Sequence, residues 1–250
     1  MRVKKLVLSI ITFGILFALP ALETSAAQVK PKTIVSTKEN VTCDGKKDTL
    51  SLIGIPYDET ANFLKEIYLR VQFSEGGEKT LQVGSGYEPT VQFADLNHDG
   101  CKDVFVSIQT GGSGGIVENE LYSFKDRKFV DLSVPLPVQV EAYFIDGYKA
   151  RIKLPNNKSY TIDLSGRKED YDRMGLYKDG KLSEPTELMI DPYSSMKITR
   201  TLSGLGLNGI QRVSGAYHAD GIGDIESLWF YANGKWVLEK VKFRELKSRK

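Results

Sequence analysis

Thr90-Val91-Gln92-Phe93-Ala94, Asp95-Leu96-Asn97-His98-Asp99-Gly100-Cys101-Lys102-Asp103 and Val104-Phe105-Val106-Ser107-Ile108 follow one another without a break and read as strand, loop, strand. The first run alternates as a strand does, and the third is β-branched and aromatic over a strand's length. The central nine residues place oxygen-bearing side chains at alternate positions around one glycine. Ca²⁺ is a hard cation that collects roughly six to eight oxygens, and a tight loop offers them from its first, third, fifth and ninth side chains and its seventh carbonyl. The candidate ligands are therefore Asp95, Asn97, Asp99 and Asp103, with the backbone carbonyl of Cys101. Gly100 stands where the chain turns sharply enough to aim that carbonyl inward. An EF-hand would need a glutamate at the twelfth position and helices on both sides, but the twelfth residue is Val106 and the flanks are strands. The competing reading is a plain solvated turn, because Asp, Asn and Gly close turns by local hydrogen bonding.

A weaker copy of the loop lies 55 residues upstream, in Asn40-Val41-Thr42-Cys43-Asp44-Gly45-Lys46-Lys47-Asp48, and the strand-like Thr49 to Ile53 follows it. Asn40, Thr42, Asp44 and Asp48 are the ligand positions of this second loop. Asn40 and Thr42 in place of Asp95 and Asn97 predict weaker or no calcium binding. A third echo, Ala216 to Asp224, keeps Asp220, Gly221 and Asp224 but carries Ala216 and His218 at the first and third positions, so a structural role is expected. Elsewhere the chain reads as hairpins around Asp126-Arg127, Asp146-Gly147 and Asn233-Gly234. Asp58 to Ile67 reads either as a short helix or as the lead into a strand over Glu66 to Phe73, Glu184 to Met196 as another helical turn or two limited by Pro185 and Pro192, and Thr110 to Gly115 as a flexible connection.

The strand, calcium loop and strand resemble the FG-GAP or VCBS repeat, the blade unit of integrin-type β-propellers, over Tyr87 to Phe129. The resemblance implies an all-β fold of mainly antiparallel, propeller-blade-like meanders and Ca²⁺ as the bound ion. A chain of this length holds about four units of 55 residues, whereas seven blades would need on the order of 385, so a full ring does not fit. The expected layout is a leader over 1–27, a β region with the calcium loop over 28–135, and a second β region over 136–250 that is either separate or part of the same domain. Neighbouring blades would bring the loops of Cys43 and Cys101 together.

Residues 1–27 have a basic start, an apolar run of about 14 residues and a small-residue ending at Ala27, which is the pattern of a secretory signal peptide. They carry three of the 34 Lys and Arg and one of the 32 Asp and Glu, leaving 31 of each and no net charge. No electrostatic case for nucleic-acid binding survives that subtraction. The exported chain is expected in an extracytoplasmic, oxidising compartment, where its two cysteines, Cys43 and Cys101, either form a bridge or stay as thiols. The basic run from Lys240 to Lys250 is read as a solvated end or a contact for an anionic wall polymer.

No catalytic motif appears. The chain has two histidines, His98 and His218, no Gly-x-Ser-x-Gly elbow, and a glycine run at 110–115 that lacks the ending of a phosphate loop. The expected function is a calcium-binding β scaffold, acting as a binding module toward a protein or polysaccharide of the bacterial cell envelope. The alternatives are a secreted hydrolase of cell-wall polymer and a structural coat component.

Overall fold

The computed structural model describes residues 29–246; the leader and the last four residues of the basic C-terminal run lie outside that range. The first half is one antiparallel meander in which each strand pairs with its sequence neighbour. Its strands are β1 (Lys32–Glu39), β2 (Asp48–Pro56), β3 (Leu64–Gln72), β4 (Glu78–Ala94), β5 (Asp103–Gly111), β6 (Ile116–Ser123) and β7 (Val130–Asp131). The 17-residue β4 changes partner midway, pairing with β3 up to Gly86 and with β5 from Tyr87 onward. Gly84 and Gly86 sit at that change with φ of +134° and +146°, and a Cβ on Gly86 would lie 2.3 Å from the Gln109 carbonyl. Only glycine lets the backbone bend and approach so closely there.

The bend folds the meander onto itself. Leu50, Leu52, Ile67, Leu69 and Val71 pack against Val104, Val106, Tyr122 and Phe124. The other face of β5 and β6 presents Phe105 and Leu121 to a second core shared with Tyr193, Met196 and Leu207. Val104, Phe105, Val106 and Ile108 are all buried, which explains why this strand reads as a continuous apolar run rather than an alternation.

The second half begins with β8 (Glu141–Ile145), β9 (Lys149–Lys153) and β10 (Ser159–Asp163), a small antiparallel sheet. The helix α1 (Lys168–Arg173) and the hairpin of β11 (Tyr177–Lys178) and β12 (Lys181–Leu182) follow. The chain ends in a four-stranded meander of β13 (Met189–Arg200), β14 (Leu205–Ser214), β15 (Gly221–Ala232) and β16 (Lys235–Glu245). Phe144, Ile152, Tyr171 and Tyr177 fill the space between the small sheet and Val213, Ile225 and Phe243. The fold is all-β and mainly antiparallel, as expected, and its meanders stay open: the described residues form no closed ring.

Several expectations are corrected. Of the two readings of Asp58 to Ile67, the helix is absent and the lead into a strand is present: Asp58 closes a bend by accepting from the amides of Thr60 and Ala61 at 2.8 Å, and β3 starts at Leu64. Glu184 to Met196 runs into the strand β13, whose irregular register between Ile190 and Ser195 accommodates Pro192. The helix lies instead at Lys168–Arg173, where the strand-like Tyr171 is buried against Phe144. The run Thr110 to Gly115 is no slack tether. It closes the β5–β6 hairpin, with Gly115 donating to the Gly112 carbonyl at 3.3 Å. Asn233 and Gly234 take φ of 52° and 78°, the paired left-handed conformation that a two-residue hairpin requires.

Candidate calcium loop and its tethered twin

The loops at 40–48 and 95–103 are structural copies. Cys43 and His98, the fourth residues, have φ of 62° and 61°, and Gly45 and Gly100, the sixth, have 87° and 84°. The ninth residue is the hub of each. Asp48 accepts from the amides of Val41 and Thr42, both at 3.2 Å, and Asp103 accepts from Leu96 and Asn97 at 2.9 and 3.0 Å. The fifth residue closes a short turn in both: Asp44 takes the Lys46 amide at 2.8 Å, and Asp99 takes that of Cys101 at 2.9 Å. In the second loop Asp95 also accepts from Asp99 and Gly100, and Asn97 accepts from Asp99. Each Asp95 oxygen takes one amide and keeps a further lone pair, so these bonds leave acceptor capacity for an ion.

The copies extend beyond the loops. Each is followed by two strands and then by an aromatic residue, Phe73 or Phe124, whose rings meet at 6.4 Å between centroids. The next residue is where the two units diverge. Ser74 reaches the first loop, its amide donating to Asp48 Oδ1 at 3.0 Å and its hydroxyl to Asp44 Oδ2 at 3.1 Å. Those are the fifth and ninth positions that a cation would join, so a serine does the joining. Thr42 spends its hydroxyl on Asp48 at 3.0 Å. In the second unit the corresponding residue is Lys125. Its ammonium donates to the Asp99 carbonyl at 2.5 Å and lies 3.7 Å from Asp99 Oδ1. Asp103 Oδ1 is left buried with no partner, inside a residue with no solvent exposure. Burial pushes the Asp103 carboxyl up to about 6, against the pull of the Asn97 and Leu96 amides and with a further push from Asp99 and Asp95. Neither Ser74 nor Lys125 carries a signal in the sequence until the two units are aligned past their strands.

The loops are also joined covalently. Cys43 and Cys101 form a disulfide with Cα atoms 5.8 Å apart, which crosses 58 residues and ties the fourth position of one loop to the seventh of the other. Chain-entropy arguments assign such a closure on the order of 4 kcal/mol. The Asp126 backbone N–H also donates a hydrogen bond to the Thr42 carbonyl at 3.1 Å.

Among the described residues, no three His, Cys, Asp or Glu side chains converge as a ready-made metal group. The donor set still suits a hard cation: three carboxylates, one carboxamide and one carbonyl, with an unpaired buried carboxylate oxygen at the ninth position.

The third echo is not a loop of this kind. Asp220 is buried and ion-paired with Arg167, while its other oxygen accepts from Tyr171 at 2.7 Å and from the Ala216 amide at 2.9 Å. Asp224 lies within β15, 3.8 Å from Arg212. His218 sits 3.2 Å from the buried Asp191, and His98 is exposed and stacks on Phe230 at 4.5 Å. Trp229 packs in the core, and Tyr231 and Trp236 meet edge to face at 5.2 Å.

Residues 138–244 match the family described as the YybI C-terminal domain. The chain is also 26% identical over 219 residues to the uncharacterized protein YybI of Bacillus subtilis (strain 168), across 84% of this chain and 82% of that one. No solved structure matches. The likeness to the YybI relative therefore runs through both halves of the chain, including residues upstream of the matched C-terminal domain.

Proposed function

We propose that this protein is an exported, calcium-stabilised β scaffold that serves as a binding module at the bacterial cell envelope, and that its loop is of the FG-GAP or VCBS type. One contrast carries the reading. Asp48 has both oxygens satisfied by Val41, Thr42 and Ser74, whereas Asp103 Oδ1, in the same position of the twin loop, is buried and unpartnered. A buried carboxylate oxygen without a partner costs on the order of several kcal/mol, and a bound cation removes that cost. Asp95, Asn97, Asp99, Asp103 and the Cys101 carbonyl would hold the ion. Calcium would neutralise the loop's carboxylates and fix its backbone, adding its binding free energy to folding. The disulfide and the leader-like N-terminus support export to an oxidising compartment.

The test is a thermal melt of the mature chain with calcium and with chelator, beside Asp99→Ala. Calcium is expected to raise the midpoint of the native chain by several degrees and to leave the variant unmoved. Equal midpoints for the native chain in calcium and in chelator would reduce the loop to a turn.

A further inference from the structure

We infer that the cleft between the β4–β5–β6 face and β13 is a binding site for an uncharged oligosaccharide. This deepens the proposed binding role by naming the chemistry of the partner, and it rests on that role but not on the cation.

The ladder registers put residues in rows across the sheet. Gln92, Phe105 and Leu121 form one row, and Thr90, Ser107 and Asn119 form the next. Phe105 and Leu121 are covered by Met196, Tyr193 and Leu207. Beyond them the two sheets part, and the face turns from apolar to hydroxyl and carboxamide within a single row. The opening holds about 740 Å³, within the roughly 300–1,000 Å³ usual for small-molecule sites, and such sites favour the junction between two packed units.

The lining matches a sugar better than a peptide or an ion. Thr90, Gln92, Ser107, Gln109 and Ser195 offer neutral groups that donate and accept side by side, as sugar hydroxyls require. The two charges on the wall, Glu88 and Lys197, are of opposite sign, so the cleft has no net attraction for a charged ligand. Val117, Met196 and Ile198 supply the apolar part of its wall, against which the C–H face of a ring can rest. Asn119, next in the row of Thr90 and Ser107, has a side-chain oxygen that is buried with no partner. An extended peptide would instead call for apolar pockets at alternate positions along the strand edge.

The experiment is calorimetric titration of the mature chain with cellotetraose and with tetra-N-acetylchitotetraose, in calcium and in chelator. Gln92→Ala/Ser107→Ala is the test variant, and Gln82→Ala, on β4 outside the cleft, is the control; near-ultraviolet circular dichroism confirms that all are folded. Saturable binding of either tetrasaccharide, weakened at least tenfold by the cleft variant and unchanged by the control, is the expected result. No saturable binding of either probe at millimolar concentration overturns the inference, as does binding that the cleft variant leaves intact. Because the same samples report the calcium shift in their melting point, a failed cleft with an intact calcium response is distinguishable from a failed scaffold.

Discussion

Asp103 and Lys125 hold opposite ends of one balance. The folded chain binds the Asp103 proton at about 6, and its ordinary value is 3.8. Between those values the folded state carries more protons than the unfolded one, so this group's contribution makes stability fall as pH rises from 4 to 6. Melts in chelator are expected to show that fall as a difference between the native chain and Asp103→Asn, which has no carboxyl to titrate there. A difference that runs the other way would mean that the carboxylate is paired. Lys125 already places positive charge 3.7 Å from Asp99 Oδ1. At the surface such a pair contributes about 0–1 kcal/mol, so removing it leaves the loop folded and more negative. Lys125→Ala should bind calcium several-fold more tightly by isothermal titration, and unchanged or weaker binding would remove the lysine from the site. The alternation of oxygen-bearing side chains around Gly100 was legible from spacing alone, because side-chain period and glycine position are local properties. The orphaned oxygen was not, because Ser74 and Lys125 reach the loops from 26 residues further along the chain in both cases.

Among the elements, β4 decides the most. A 17-residue strand would normally continue one sheet, but Gly84 and Gly86 let it leave β3 and take up β5. Gly86→Ala would put a methyl group 2.3 Å from the Gln109 carbonyl at a φ of +146°. Backbone strain and the clash together should cost about 2–4 kcal/mol, read as a lower denaturation midpoint. A change under 0.5 kcal/mol would show that the bend has another cause. The hairpin at Asn233-Gly234 was legible because both residues tolerate left-handed backbone, and β16 follows directly at Lys235. The turn expected within Glu184 to Met196 is strand instead, because a polar, Pro-containing approach to a strand lacks periodicity and only the partner strand β14 reveals the pairing. The helix α1 escaped notice because six residues carry too little of a 3.6-residue pattern.

Across the whole molecule, β5 is the shared wall. One face holds the core of the folded N-terminal meander and the other, through Phe105, holds the core shared with β13 and β14. Phe105→Ala is expected to cost about 3–5 kcal/mol and to lower one cooperative transition followed at once by tyrosine and tryptophan signals. Two separated transitions would mean that the halves fold independently. Around residue 135 the chain is tied to the C-terminal meander, since Tyr193 donates to the Leu136 carbonyl and Trp236 to that of Ser133. By itself the sequence determined the strand-rich class, the two loop frames and the side-chain types at each loop position, because alternation and turn chemistry act over a few neighbouring residues. Tertiary structure alone decided which loop is closed by a serine and which keeps an unpaired carboxylate. It also decided that the two cysteines meet and that a cleft opens beside β13. Those outcomes depend on contacts between residues far apart in the chain, which local propensity does not encode.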